Sequence, residues 1–185
     1  MADNTGALSH KIDPERMRSV SERVDGLSRE VVEMADQIAN DVCADLDDYM
    51  KGIDEILTNQ KNPVSDYQLD DFVLNLSSLL YMVSDAQENL GIKEDVARAI
   101  QKEVYNRVRE KAQGTVADKD TAAELQCQEE SIITIVYARA YKKVKLRVEA
   151  ANEMVNSVKK VMTRRIAEYE MSQSDNGRTG GAAHE

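Results

Sequence analysis

The chain has no tryptophan, one phenylalanine, two prolines and two cysteines among its 185 residues. So few large aromatic side chains argue against a thick globular core. Cys43 and Cys127 match no metal-ligand spacing and support no disulfide framework, so we expect two unpaired thiols in a reducing compartment. No apolar run approaches the roughly 20 residues that span a bilayer, and the N-terminus lacks the apolar core of a secretion signal. We therefore expect a cytoplasmic protein without a membrane partner.

Histidine is equally scarce, since His10 and His184 are the only two and both lie near the chain ends. A histidine general base or nucleophile would have no rigid platform there. The sequence also contains no glycine-rich phosphate loop, no zinc spacing and no calcium loop. We therefore expect a protein that is not an enzyme, with no catalytic residue, no metal site and no cofactor.

The most regular stretch of the sequence runs from Tyr137 to Tyr169 and contains neither glycine nor proline. Its apolar residues recur at alternating spacings of four and three, which is the heptad signature of a helix buried against another helix. These residues are Val144, Val148, Ala151, Val155, Val158 and Met162. With no strand pattern elsewhere, the sequence predicts an all-α fold, an elongated helical hairpin or bundle with coiled-coil seams, built from two long and two shorter helices.

The first long helix is predicted over residues 13–58, with Asp13 as N-cap and Pro14 in the first turn. Its heptad seam has a four-residue stutter after Ile38, which relaxes supercoiling without ending the helix. The seam consists of Met17, Val20, Val24, Leu27, Val31, Met34 and Ile38, then Val42, Leu46, Tyr49, Ile53 and Ile56. The polar run before Pro63 should end the helix.

A second helix is predicted over 65–90, because Ser65 and Gln68 have the spacing of a capping box. Its broad apolar stripe predicts the most deeply buried helix of the fold. The stripe comprises Leu69, Phe72, Val73, Leu76, Leu79, Leu80 and Val83. Gly91 is expected to end this helix as a left-handed C-cap.

A third helix is predicted over 93–112, with apolar residues spaced strictly by four at Val96, Ile100, Val104 and Val108. Thr115 and Asp118 form the next predicted cap and open a long helix over 116–171. The helices together form one domain over 13–171. We expect residues 1–12 to be a mobile leader and residues 172–185, which are rich in Ser, Gly and Asn, to be a disordered tail.

Charge is distributed unevenly along this acidic chain, whose net charge is -10. Residues 1–91 hold 7 basic and 19 acidic side chains, whereas residues 136–171 hold 9 basic and 4 acidic ones. A helix with a buried seam and a cationic back can follow a phosphate backbone. We therefore predict a nucleic-acid-binding surface in the basic segment, residues 136–165, formed by Arg139, Lys142, Lys143, Lys145, Arg147, Lys159, Lys160, Arg164 and Arg165.

Two other interpretations of the basic segment stay open. It can be the ordinary charged exterior of a coiled coil, with Lys145 paired to Glu149 four residues on. It can also pack beside the acidic first helix of the same chain or of a neighbouring subunit, which would neutralise both. Tyr137 and Tyr141 can offer stacking surfaces for bases, or be core residues.

The run from Val148 to Ile166, VEAANEMVNSVKKVMTRRI, resembles the C-terminal helix of the UvsY family of phage recombination mediators. Those proteins also have a late apolar helix with interleaved lysines and an arginine near its end. The resemblance implies a protein that binds single-stranded DNA, assembles into rings and helps to load a recombinase. The expected partners are other copies of the chain and single-stranded DNA or a DNA-processing protein, in the host cytoplasm if the chain is phage-encoded.

Two alternative functions remain. The first is a structural or adaptor coiled coil that binds another protein, such as a host factor, without nucleic acid. The second is a Mg²⁺-dependent nucleotide hydrolase, because Asp41, Asp45 and Asp48 fall on one helical flank and Glu30, Glu33 and Asp36 lie one to two turns earlier. This acidic set resembles the Glu-x-x-Glu and Glu-x-x-Asp pairs of the all-α MazG pyrophosphohydrolases. Asp41, Asp45 and Asp48 are also where a solvated flank of the first helix would lie.

Overall fold

The computed structural model describes residues 13–58 and 63–179, with side chains up to residue 173. Four helices account for nearly all of these ranges: α1 (Pro14–Thr58), α2 (Asp66–Lys111), α3 (Val116–Gln126) and α4 (Gln128–Thr179). No strand occurs in either range, so the predicted all-α class is confirmed. None of the helices within these ranges is both long and apolar enough to cross a membrane. The predicted leader, 1–12, and the last six residues of the predicted tail lie outside the described residues.

The three long helices form an up-down-up bundle. α2 is antiparallel to α4, because Gln101 near one end of α2 donates to Ser131 at 2.8 Å while Asp66 at the other end accepts from Arg165 at 2.7 Å. α1 is parallel to α4, because Lys143 pairs with Asp36 and Arg147, one turn further on, pairs with Asp47. α1 is therefore antiparallel to α2, which it contacts where Asn75 donates to the Tyr49 hydroxyl at 3.0 Å. α2 contacts every other helix.

The core lies where the carboxyl half of α1 packs between α2 and α4. Every residue of the seam predicted in α4 is buried or half-buried, which confirms that prediction. The fully or nearly fully buried members of the core are Ala39, Cys43, Leu46, Ile53, Leu69, Phe72, Leu76, Val83, Leu90, Val144, Ala151, Val155 and Val158. These are small and branched aliphatic side chains with one aromatic, so helix axes approach closely and the bundle stays thin.

The predicted break at Gly91 is wrong, since α2 runs unbroken from Asp66 to Lys111. Gly91 is helical, and a Cβ built on it would lie 3.5 Å from the Tyr141 ring on α4. A glycine inside a helix costs only about 1 kcal/mol relative to alanine. Burial of Val83, Leu90 and Ala97, which are seven residues apart along α2, outweighs that cost. The helices predicted over 65–90 and 93–112 are therefore one, and the bundle has three long helices and one short.

The predicted helix over 116–171 is divided at Cys127, whose backbone has φ -100° and ψ 18°. Helical hydrogen bonding nevertheless passes through this residue: its N–H donates to the Ala123 carbonyl at 3.1 Å, and its carbonyl accepts from the Ser131 N–H at 3.0 Å. The irregularity lets α3 pack against α2. At the other end α4 continues to Thr179, so the disorder expected from residue 172 is wrong as far as residue 179.

The predicted caps are confirmed. The Asp13 carboxylate accepts from an amide of the first turn of α1 at 3.0 Å. Ser65 with Gln68, and Thr115 with Asp118, form complete capping boxes at the starts of α2 and α3. α1 also ends where the polar run predicted. Local sequence signals therefore set the starts of these helices. In each one, a first-turn amide N–H that has no acceptor within the helix donates to a side chain two or three residues earlier.

The amino half of α1 is not covered by the bundle. We call residues 14–34 the arm. Met17, Val20 and Val24 of its predicted seam are 53–56% exposed, and every residue from 13 to 30 is exposed. Burial of α1 begins at Ala35. In the carboxyl half, the predicted seam is buried or half-buried from Ile38 to Ile53 and exposed at Ile56, and the buried Ala35, Ala39 and Cys43 lie outside the prediction. In the arm, the predicted burial of the seam is wrong among the described residues.

Candidate nucleic-acid interface

The basic side chains of α4 are oriented by its buried seam. Val144, Ala151, Val155 and Val158 face α1 and α2, so residues half a turn away face solvent. At 100° per residue, Arg139, Lys142, Lys160 and Arg164 lie within about 40° of the outward pole. The other five lie on the flanks of the seam, where Lys145 and Lys159 are exposed and Lys143, Arg147 and Arg165 are half-buried.

Two flanking cations bind carboxylates of α1. Lys143 forms an ion pair with Asp36. Arg147 forms an ion pair with Asp47 at 2.9 Å, and it also donates to the Ala39 carbonyl at 3.0 Å. Its side chain is 27% exposed. Both cations hold α4 against α1, which partly fulfils the interpretation that the basic helix packs beside the acidic one.

A third cation, Arg165, binds the start of α2. Its guanidinium donates to the Val64 carbonyl and to the Asp66 carboxylate, both at 2.7 Å. This contact ties α4 to the connection that leads into α2. Lys143, Arg147 and Arg165 therefore form ion pairs that hold helices together. These pairs leave the three cations less available to an external ligand.

The remaining six cations are exposed. They form two groups on α4, which we call the proximal patch and the distal patch. The proximal patch consists of Arg139, Lys142 and Lys145, and the distal patch consists of Lys159, Lys160 and Arg164. Within residues 13–58 and 63–173, the one ion pair made by any of these six joins Arg164 to Glu168 at 3.6 Å, and both side chains are exposed.

The two patches are separated by Glu149 and Glu153, which are both exposed. Lys142 and Lys160 are 18 positions apart, or about 27 Å along the helix at 1.5 Å per residue. The Lys145–Glu149 pair expected of an ordinary exterior is not formed among the described side chains. The positive charge of α4 is therefore presented as two separate clusters on one line.

The distal patch surrounds a shallow, open depression. Lys159, Lys160 and Arg164 line it together with the neutral polar side chains of Asn156 and Thr163, with Ala167, and with one carboxylate, that of Glu153. Such a rim offers charged and neutral hydrogen-bond donors to an anion that rests on the helix surface. It has no enclosing wall, so it suits an extended ligand better than a small molecule.

Comparison of the chain with protein-family models, with curated proteins and with solved structures finds no match.

The two tyrosines of the basic segment belong to the core. Tyr137 and Tyr141 are half-buried and pack against the central cluster, and Tyr141 lies beside Gly91 of α2. Their rings are covered by neighbouring helices. They are placed as core residues and not as stacking surfaces for bases.

The aspartates considered for a metal site are spread along an exposed flank. Asp41, Asp45 and Asp48 are all exposed, and Asp48 pairs with Lys51 at 3.3 Å. In the part of the chain that the structure describes, no three side chains of the His, Cys, Asp or Glu type are close enough to hold a metal ion. His10 and His184 lie outside the described residues.

Both cysteines are free and buried, as predicted. Burial raises the pKa of the Cys43 thiol, and the nearby Arg147 guanidinium opposes this shift only in part. The thiol is therefore held in its protonated form and is a poor nucleophile. Cys43 is a core residue of the bundle.

Sequence reasoning missed an apolar groove between α2 and α4. Ile92, Val96, Ile100, Ile133 and Tyr137 line this groove, which has a volume of about 490 Å³. The every-fourth spacing of Val96 and Ile100 predicted a buried seam, yet both side chains are about half exposed. The apolar pattern of one helix does not show whether its apolar stripe is covered, because coverage depends on which other helices lie beside it.

Proposed function

We propose that this protein is a non-enzymatic accessory protein that binds an extended polyanion, single-stranded nucleic acid, along the outward face of α4. The observation that carries the proposal is the division of the basic residues of α4. Three of the nine tie the bundle together, whereas the six of the proximal and distal patches remain open to solvent. Cations that are open to solvent are the ones that can replace counterions on a phosphate backbone.

The arrangement favours a flexible strand. The clusters lie about 27 Å apart on one continuous helix, and a single strand can bend to touch both while passing Glu149 and Glu153 between them. The acidic residues of α1 and the first part of α2 repel a polyanion and restrict it to α4. The ligand is therefore expected to lie along α4 and away from the carboxylates of α1.

In this proposal the resemblance to phage recombination mediators supplies the biological setting. The protein would act in the cytoplasm beside a recombinase or a single-strand-binding protein, with its basic helix on the DNA backbone. The acidic helices would stay free for a basic protein partner.

The test is fluorescence anisotropy with a labelled single-stranded oligonucleotide at low and high salt. We expect binding at low salt that weakens steeply as salt rises. The triple variant Lys142→Glu, Lys160→Glu and Arg164→Glu should lose more than about tenfold in affinity, since it removes cations from both patches.

The matched control is the triple variant Lys93→Glu, Lys102→Glu and Lys111→Glu. These lysines are exposed on α2, so the control changes the net charge by the same amount outside the interface. It should lose much less affinity than the α4 variant. Equal losses in the two variants, or no binding by the natural protein at low salt, would refute the proposal.

A second candidate function is an adaptor that binds proteins without nucleic acid. The exposed apolar groove between α2 and α4 favours it, because contiguous apolar surface on a folded chain marks an interaction site. Retention of partner-protein binding in the α4 triple variant, together with no oligonucleotide binding by the natural protein, would select this function.

A further inference from the structure

The arm is an amphipathic helix whose apolar side has no partner among residues 13–58 and 63–173. Its seam is Met17, Val20, Val24, Leu27, Val31 and Met34, and all but Val31 are at least 40% exposed. Most of the stability of a helix in a protein comes from packing of its apolar face, and Gly26 weakens the arm further. The apolar side chains whose burial would stabilise the arm are therefore exposed.

The rest of the same chain is poorly placed to cover this seam. At 100° per residue, the direction of the arm's seam differs by about 80° from that of the buried α1 residues Ala35, Ala39, Cys43, Leu46 and Ile53. If α1 continued straight along the bundle, the side of the arm that faces the bundle would therefore be a flank of its seam. The seam itself would face outward, toward another molecule.

The width of the seam indicates a single partner helix. Only two positions in seven are apolar along the seam, and its flanks carry Arg16, Ser21, Arg23, Ser28 and Glu30. A two-in-seven stripe is typical of a two-stranded coiled coil, whereas a helix that fits a groove between two others has a wider apolar face.

We propose that the arm is a dimerisation element that pairs with the arm of a second copy as an antiparallel coiled coil. In this register Met17 lies opposite Met34 of the second copy, Val20 opposite its Val31, and Val24 opposite its Leu27. The twofold axis of the dimer generates each of these three layers a second time, with the two copies exchanged. Every layer is apolar, and the overlap ends where the bundle of each copy begins, near Ala35.

The charges that flank the seam select this orientation. With the layers above, Arg23 lies beside Glu30 of the second copy, and the twofold axis makes the same pair again. A parallel pairing would instead place Arg23 beside Ser28 and Glu30 beside Ala35, with no opposite charges in contact. Neither Arg23 nor Glu30 has an ion-pair partner among the described side chains of its own chain. The interface is isologous, so it closes as a dimer.

The experiment measures the mass of the full chain by light scattering over a concentration series. We expect a dimer of twice the 20.7 kDa monomer mass. Arg23→Glu and Glu30→Arg should each weaken the dimer about tenfold, because each places like charges in contact twice. The variant with both changes restores opposite charges and should return to near the natural affinity. A double variant as weak as the single ones would overturn the antiparallel register.

The control tests the apolar groove as the alternative place for the arm. Ile100 is 48% exposed on α2, so Ile100→Glu should leave the bundle folded and the dimer unchanged. Leu27→Glu, in the central layer of the proposed coiled coil, should weaken the dimer at least about a hundredfold. Loss of the dimer in Ile100→Glu would assign the arm to the groove, and a monomer at all concentrations of the natural protein would remove the dimer altogether. Both results would overturn the proposal. Oligonucleotide binding does not enter either measurement.

Discussion

Arg147 is the basic residue of α4 with the most contacts to another helix. Its guanidinium pairs with Asp47 and donates to the Ala39 carbonyl and to the Asn40 side chain. Side-chain type alone placed Arg147 with Lys142 and Lys160 as a binding residue. Its position on the flank of the seam, facing the acidic helix, gives it a structural role.

Replacing Arg147 should therefore affect stability more than binding. Arg147→Met keeps the apolar stem and leaves Asp47 and the Ala39 carbonyl without their donor, which should cost about 1–2 kcal/mol in the free energy of unfolding. The control is Lys145→Met, which is exposed and unpaired and should change stability by less than about 0.5 kcal/mol. Urea unfolding measures both. Similar costs for the two variants would contradict the role assigned to Arg147.

Glycine positions give a second prediction at the same scale. Gly52 is helical, and a Cβ added there meets no atom within 4 Å, so Gly52→Ala should stabilise the bundle by about 0.5–1 kcal/mol. Gly114 has φ +115° in the turn before α3, and an added Cβ would lie 2.9 Å from Asp118 Oδ2. Gly114→Ala should therefore destabilise by about 1–3 kcal/mol. Thermal unfolding of the two variants should move the midpoint in opposite directions.

At the scale of elements, α3 depends on its capping box. The Thr115 hydroxyl and N–H donate to Asp118 Oδ2 at 2.8 and 2.9 Å, and these hydrogen bonds lower the pKa of the Asp118 carboxyl. The carboxylate contributes to folding above the ordinary aspartate pKa of about 3.9. That contribution is lost as the pH falls through the lower folded-state pKa.

We therefore expect the first turn of α3 to fray in acid. An NMR titration of the Asp118 carboxyl carbon should give a midpoint below about 3.9. Thr115→Val removes the hydroxyl, which is the larger cause of the lowered pKa, and should move the midpoint upward. A midpoint that does not respond to Thr115→Val would show that the capping box is not the cause.

The helices differ in how much of their extent and burial the sequence patterns predicted. The starts of α1, α2 and α3 followed from local caps, because a cap involves residues two or three positions apart. The continuity of α2 through Gly91 did not, because it depends on burial of Leu90 against other helices. Every residue of the seam predicted in α4 is buried or half-buried, although the buried Ala140 was not part of it. In α1, burial begins only at Ala35.

For the whole molecule, the division of charge sets the expected salt dependence of nucleic-acid binding. For single strands the logarithm of the binding constant falls by about 0.7 per neutralised phosphate for each unit of log salt concentration. If only the proximal and distal patches bind, the slope should be no steeper than about -4. A slope near -6 would mean that Lys143, Arg147 and Arg165 also reach the strand, and that their ion pairs open on binding.

The sequence predicted part of the candidate interface. The concentration of basic residues in 136–165 is visible in the sequence, and so is the outward face of a helix whose seam is regular. Which cations have intramolecular partners was not visible, since Asp36 lies 107 positions from Lys143 and Asp66 lies 99 positions from Arg165. Pairings over such separations depend on how helices are arranged in space.

The sequence by itself determined the helical class, the caps and the face of α4 that is buried, because these depend on residues within one or two turns of each other. The tertiary structure alone decided the parallel pairing of α1 with α4, the uncovered arm and the division of nine cations into three ties and six open charges. The physical reason is that periodicity specifies which side of a helix is apolar, while contact between distant helices specifies whether that side, and the charges beside it, are covered.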